Sequence, residues 1–444
     1  MISTKTDSAR RTLFSFAGIA SIRGLTAISQ LIIIAVASQI FEKDAFGRFV
    51  ICYALARVLQ AGCGLGAQSY LLKDIPYRQA HGRPWHSIRS AVFFFVIAPF
   101  AICLSTAIFF ETLVFLKIPF YPLLKGQGAT ITIFAFLWTI LATLAAYVRT
   151  LRSSSEAMLL SELAVPATLL LTMGLGWLAG EISVVWLFLG ASLFLFLGEL
   201  LMLGWHTWKS WLPVGGVNGE PVPFTELRAY WGTVLLSTMT GQLDIILAGT
   251  VLSPAAVGIY TIIKRITNVM TLAVSVVVWM YAPQISRASA VQNITTLSHI
   301  ARRSMQFTLG PAVIILISLL VTLPWWTTYF NISTNETFWL ILALMLCGQI
   351  LSISMGSTMM FATQTGQPLL MVKSLSRAVA IVAPLILIAG STIGITGVAA
   401  AQLVMVVLMK WPVRRYLLKE QGLDVSFTVL FRKPSSTKEV LFKD

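Results

Sequence analysis

Gln242-Leu243-Asp244-Ile245-Ile246, a short turn through Pro254, then Ala256-Val257-Gly258-Ile259-Tyr260: this stretch reads as a helical hairpin, and it has a counterpart earlier in the chain. Gln30-Leu31-Ile32-Ile33-Ile34 leads into another short turn and then Ala45-Phe46-Gly47-Arg48-Phe49. The offset between the copies is 212 residues before the turn and 211 after it, and in both an aromatic follows the glycine by two residues. Each arm lies in an apolar run long enough to cross a bilayer, which takes about 20 residues. Two copies at one offset point to an internal repeat of membrane helices.

Working outward, the same apolar character extends over the chain. Its 444 residues are 57% hydrophobic and 11% charged, whereas a soluble domain carries about 25% charged residues. One aqueous core could not bury that much apolar surface. Twelve spans are predicted, at 12–40, 47–71, 88–111, 129–151, 157–180, 182–206, 229–252, 256–284, 303–325, 337–362, 366–390 and 393–416. They leave no room for a folded soluble domain, and fourteen spans fit only if one is split. The Gly- and Pro-rich stretch Leu212-Pro213-Val214-Gly215-Gly216 separates six spans from six. The expected organisation is an N-terminal six-helix lobe (1–208), a linker (209–228), a C-terminal six-helix lobe (229–418) and a tail (419–444). An even number of crossings gives both lobes one orientation, so the repeat is parallel, about an axis along the membrane normal. Two such lobes would enclose a central cleft, a transporter layout.

The net charge of +15 comes from 32 basic and 17 acidic residues. In a soluble protein that excess would point to nucleic acid; here it follows topology, and no nucleic-acid partner is expected. With the N-terminus cytoplasmic, 24 of the 32 cations fall in cytoplasmic segments and four, Lys43, Arg48, Lys117 and Lys125, in outer loops. The positive-inside rule then puts both termini in the cytoplasm. Arg10-Arg11 ahead of an apolar run reads as an anchor for the first helix rather than a signal peptide, whose apolar core is shorter. Cys52, Cys63, Cys103 and Cys347 fall inside spans without metal-ligand spacing and read as small core residues.

The other four cations lie within spans: Arg23, Arg57, Lys264 and Arg265. A charge at mid-membrane costs roughly 2.5–3.5 kcal/mol on insertion scales, so it faces a partner or a wet cavity. Tyr53, Arg57 and Gln60 share one helical face, as do Arg23 and Gln30, and as do Tyr260, Lys264 and Asn268, with Arg265 beside them. Gln242 opens the second hairpin. Asp244 and Lys264 each lie ten residues from Pro254, at matched depth on neighbouring helices. Two readings of Asp244 stand at this point: an ion pair with Lys264 or Arg265, or a coupling-ion or proton site. Glu199, in the sixth span, is a shallower carboxylate near the cytoplasmic end, and Glu162 is shallower still. Even with one pair subtracted, the cleft keeps an excess of cations. That points to an anionic cargo, and guanidinium groups suit phosphate and pyrophosphate; the plainer reading is that Arg57 contacts lipid headgroups.

These residues resemble a known family. The basic N-terminus, Ala45-Phe46-Gly47-Arg48-Phe49, Gly64-Leu65-Gly66-Ala67, and Gln242 to Gly249 followed by Val257-Gly258-Ile259-Tyr260 and Lys264-Arg265 are similar to the multidrug/oligosaccharidyl-lipid/polysaccharide (MOP) exporter superfamily. The resemblance is to O-antigen-type (Wzx) flippases more than to the fourteen-helix lipid II flippases. It implies a MATE-like all-α membrane fold, residence in the bacterial inner membrane, and translocation of an undecaprenyl-pyrophosphate-linked oligosaccharide. It further implies a cationic cavity at Arg23, Arg57, Lys264 and Arg265, and polysaccharide polymerase and ligase partners. No Walker-type loop is present, so an ion gradient (H⁺ or Na⁺) or the membrane potential is the expected drive. No cofactor or metal is called for. A cation-coupled drug or metabolite exporter on the same fold is the alternative. No nucleophile, metal or acid–base constellation marks an enzyme.

Overall fold

The computed structural model describes residues 21, 24–80, 88–116, 126–151, 154–180, 183–207, 220–290 and 293–431. Every regular element among them is helical. Eleven helices are long and apolar enough to cross a membrane, and Gly24–Ile40, the described part of the first expected span, is a shorter apolar helix. Side chains that water would exclude cover the surface: Trp177, Leu201 and Trp325 are 70%, 76% and 80% exposed. Such an exterior suits acyl chains, and the chain is a multi-pass membrane protein.

In chain order the helices are α1 (Gly24–Ile40), α2 (Lys43–Cys63), α3 (Ala67–Ala80), α4 (Ile88–Val92), α5 (Ala98–Phe115), α6 (Gly128–Leu151), α7 (Ser154–Ala179), α8 (Val184–Thr207) and α9 (Phe224–Val251). There follow α10 (Pro254–Thr267), α11 (Thr271–Ala290), α12 (Ile294–Val321), α13 (Leu323–Tyr329), α14 (Glu336–Ser354), α15 (Thr358–Gln364), α16 (Pro368–Ile393) and α17 (Ile395–Glu420). A π-helical turn joins α4 to α5, and a 3₁₀ turn, Asn268–Met270, joins α10 to α11.

Packing divides the chain into two compact units, one of residues 28–258 and one of 1–27 with 259–444. In the first, α6 is the hub, packed on α2, α3, α5, α7 and α8. The aromatic side chains of this unit interlock: Phe134 contacts Phe188 (5.1 Å) and Trp138 (5.8 Å), and Tyr53 stacks on Trp138 (5.7 Å). Helix α9 lies antiparallel along α2. At one end a side chain on Gly47 would overlap the Pro254 carbonyl, and one on Gly249 would meet Ile51. At the other end Trp231 Nε1 donates to the Gly62 carbonyl (2.7 Å), and Gly66 lies against the Tyr230–Trp231 backbone. Small residues let backbones approach where lipid supplies no hydrophobic drive. The unit therefore takes in α9 and ends at Gly258, beyond the Gly/Pro-rich linker.

The predicted second span, 47–71, is broken. Leu65 (φ 46°) and Gly66 (φ 75°) turn left-handed and end α2, and α3 restarts at Ala67. Glycine carries that conformation without Cβ strain.

In the second unit α16 and α17 form a tight antiparallel hairpin, with Gly394 at φ 75° in the turn and Gly397 against the Ala389 backbone. Helix α17 also packs on α14. Asn293 and Asn335 cap α12 and α14, accepting from the Thr296 and Phe338 amides (both 2.9 Å). Lys410 is buried and donates to the carbonyls of Ser352 (2.7 Å) and Gly356 (3.4 Å), at the C-terminal end of α14. The stretch after Lys419, read as a polar tail, packs against the unit up to residue 431. Leu423, Val425 and Val429 join a core with Tyr281, Ile285, Met305 and Leu417. Asp424 accepts from the Ser426 amide and from the hydroxyls of Ser426 and Thr428.

Gly356 holds this strap. Its φ is 67°, and a Cβ there would overlap the Val425 carbonyl. Gly356→Ala is expected to cost about 2–4 kcal/mol, from strain plus a backbone clash. Gly366→Ala, at φ 81° with open space around it, should cost about 1 kcal/mol. Thermal unfolding of the two variants in detergent measures the difference.

Candidate functional site

The two repeat hairpins bring their glycines to one crossing. A side chain on Gly258 would meet the Phe46 ring at 2.8 Å and lie 3.6 Å from Gly47 Cα, its repeat equivalent. Phe49 and Tyr260, the aromatics two residues on, are both fully buried. Much of the repeated motif is thus a packing device.

Beyond the crossing come the polar residues of the spans. On α2, Tyr53 is buried between Phe49 (6.1 Å) and Trp138 (5.7 Å). Arg57 and Gln60, one and two turns on, are half-buried. The Gln60 carbonyl accepts from Thr139 Oγ1 (3.3 Å) on α6. Arg57 thus stands partly open on a helix whose one acidic residue, Asp44, lies in its first turn. Gln30 on α1 is half-buried too, and Arg23 lies outside the described residues.

On α9, Gln242 is buried, with Oε1 lacking a hydrogen-bond partner among the described residues. Asp244 has no exposed surface, and its Oδ1 accepts from the Ile245 amide (3.0 Å). Glu199, on α8, is also buried, and its Oε1 has no hydrogen-bond partner among the described residues. A buried carboxyl that ionises needs a compensating partner in a dry interior.

On α10, Tyr260 and Lys264 are buried and Arg265 is half-buried. Helix α10 ends three residues after Lys264, and the 3₁₀ turn at Asn268–Met270 shifts the register before α11 begins. Asn268 therefore does not simply continue the Tyr260–Lys264 stripe: its Oδ1 accepts from Gln349 Nε2 on α14 at 2.6 Å. Sequence reasoning missed Gln349, although a lone amide in an otherwise apolar span is a visible signal. It also missed Trp138, which no pattern distinguishes from other apolar residues. Cys52, Cys63 and Cys103 are buried, whereas Cys347 is exposed on α14. No cluster of three metal-ligating side chains occurs among the described residues.

No family model and no curated protein matches the chain by sequence. Solved structures do. A mutant of the Vibrio cholerae MATE transporter VcmN superposes with a TM-score of 0.61 at 15% identity, covering 97% of this chain and 100% of that one. A MOP-superfamily transporter from Pyrococcus furiosus, described as having a binding pocket of reverse polarity that suggests a different function, gives 0.64 at 13% identity over 91% and 95%. The lipid II flippase MurJ, in an inward closed conformation, gives 0.62 at 16% identity over 91% and 87%. The fold is that of the MOP-superfamily transporters. These neighbours are transporters and flippases rather than enzymes. Within the MOP fold, the bond between Asn268 and Gln349 ties the 3₁₀ break to α14.

That tie is open to a double-mutant cycle. Asn268→Leu and Gln349→Leu should each cost about 1–3 kcal/mol by stranding the other amide. The double variant should recover at least 0.5 kcal/mol of their sum, roughly the lower bound for contacting pairs. Thermal unfolding of the four proteins measures the coupling.

Proposed function

We infer that this chain is a flippase for an anionic, lipid-linked cargo: an undecaprenyl-pyrophosphate-linked oligosaccharide moved across the bacterial inner membrane by alternating access. In this reading twelve spans form two six-helix lobes, 1–208 and 229–418, and both termini are cytoplasmic. The cations Arg23, Arg57, Lys264 and Arg265 are the cargo-binding residues. Their guanidinium and ammonium groups hold the pyrophosphate, Gln30, Gln60 and Gln242 contact sugars, and the prenyl tail stays in the bilayer. An ion gradient or the membrane potential drives the cycle, with Asp244 and Glu199 as the coupling carboxylates. A polysaccharide polymerase or ligase takes the product on the far side.

The observation that carries the reading is cation excess at membrane depth. Arg57 stands half-buried on α2 with no acid on its helix past the first turn, and α10 carries Lys264 with Arg265, where the repeat sets Lys264 against Tyr53 and Asn268 against Arg57. A site for cationic drugs calls for the opposite sign. Phosphate suits guanidinium because two parallel N–H donors meet two oxygens. The fold's neighbours, which include the lipid II flippase MurJ, make such a cargo chemically reasonable.

The test is complementation of a strain lacking its own oligosaccharide flippase. Arg23→Ala, Arg57→Ala and Arg265→Ala should each lower surface polysaccharide at least tenfold at matched protein level. Removing one charge-assisted hydrogen bond costs about 1.5–3 kcal/mol, and tenfold is about 1.4 kcal/mol. Lysine replacements should recover part of the activity. Normal export by all three alanine variants contradicts the cationic cleft. Raised drug tolerance without polysaccharide export favours the cation-coupled exporter instead.

A further inference from the structure

One strongly basic feature lies outside the constellation above. Between α11 and α12 runs an open cleft of about 700 Å³. Its floor is Tyr281 and Ile300, both buried. Its rim carries Gln284 and Arg287 from α11, and Thr296, His299 and Arg303 from α12. The spacings explain the grouping: 281, 284 and 287 follow one face of α11, and 296, 299 and 303 one face of α12.

Among the described residues no carboxylate lines this cleft, and between residues 259 and 335 the sequence contains no acid at all. Asp424, in the strap that packs on this unit, is engaged with Ser426 and Thr428. The neighbouring Arg302 turns away and donates to the Leu430 carbonyl (3.1 Å), so Arg287 and Arg303 are the two cations the rim presents. Hydroxyl, amide and imidazole groups beside them supply further donors. This is the chemistry of a phosphate site.

What adjoins the cleft narrows the ligand. One turn along α12 from Arg303, Phe307 is 57% exposed and its ring lies 6.4 Å from that of Tyr281. Exposed Ile314, Ile317 and Val321 follow on the same helix. An anion-binding cleft therefore runs into an apolar strip in the membrane-spanning part of α12. A soluble phosphate would use the first and leave the second empty.

We propose that the α11–α12 cleft binds the phosphate of an anionic membrane lipid, with Arg287 and Arg303 on the phosphate oxygens and the lipid chain along Phe307, Ile314 and Ile317. The site is separate from the cargo cations, and its test does not depend on transport. The full-length protein in detergent is mixed with equimolar dioleoylphosphatidylglycerol and dioleoylphosphatidylcholine, and bound lipid is counted by native mass spectrometry. The wild type should retain the anionic lipid at least fivefold over the zwitterionic one. Arg287→Gln/Arg303→Gln should reduce that preference at least fivefold and Arg287→Lys/Arg303→Lys should keep most of it. Arg377→Gln/Lys419→Gln, two exposed cations elsewhere in the unit, should keep all of it. Absence of selectivity in the wild type overturns the proposal without reference to any variant. So does an equal loss in the Arg377/Lys419 control, or complete displacement of lipid by millimolar inorganic phosphate.

Discussion

Backbone contact between α2 and α9 is the constraint on which the arrangement of the first unit depends. In a bilayer the surrounding chains are as apolar as the side chains, so helices associate through close van der Waals fit and a few hydrogen bonds rather than through water exclusion. Here the fit is made by glycine at both ends of the pair: Gly47 and Gly249 at one, Gly62 and Gly66 at the other. Replacing Gly47 would force α2 off the Pro254 turn, and with it Tyr53, Arg57 and Gln60, whose positions follow from the helix axis. The repeat-equivalent Gly258 meets the same crossing. A motif that recurs at a 211-residue offset thus has a mechanical reason to recur.

Buried cations in this chain serve more than one end, and their surroundings separate the uses. Lys410 is buried, its ammonium held by the Ser352 and Gly356 carbonyls at the C-terminal end of α14, where the helix dipole favours positive charge. It is a staple. Arg57 is half-buried on an α2 face with no acid within the span. Arg287 and Arg303 sit on an open rim with donors beside them and an apolar strip beyond. A cation count alone merges these three situations.

The fold was largely legible because hydropathy summed over about 20 residues is insensitive to detail. For the same reason the interruptions were not. The breaks at Leu65–Gly66, at Asn268–Met270 and at Met355–Gly356 fall inside continuous apolar runs, and each depends on local dihedrals or a distant partner. Asn268 and Gln349 are 81 residues apart, and no helical period links them. Tyr53 illustrates the limit for the site. Spacing correctly puts it one turn from Arg57, but only the position of Trp138 on α6 shows that its ring is sandwiched. The strap at 421–431 looked polar because its alternation of Leu423, Val425 and Val429 with charged or hydroxyl residues is too short to register as an element.

Cargo charge is the central claim, and direct transport by the purified protein tests it. Proteoliposomes containing the full chain would be loaded, in parallel, with a fluorescent polyprenyl-pyrophosphate-linked sugar in one leaflet and with a cationic rhodamine dye in the lumen. The account predicts protein-dependent movement of the pyrophosphate lipid between leaflets and no protein-dependent movement of the dye. Dye transport without lipid translocation would contradict it.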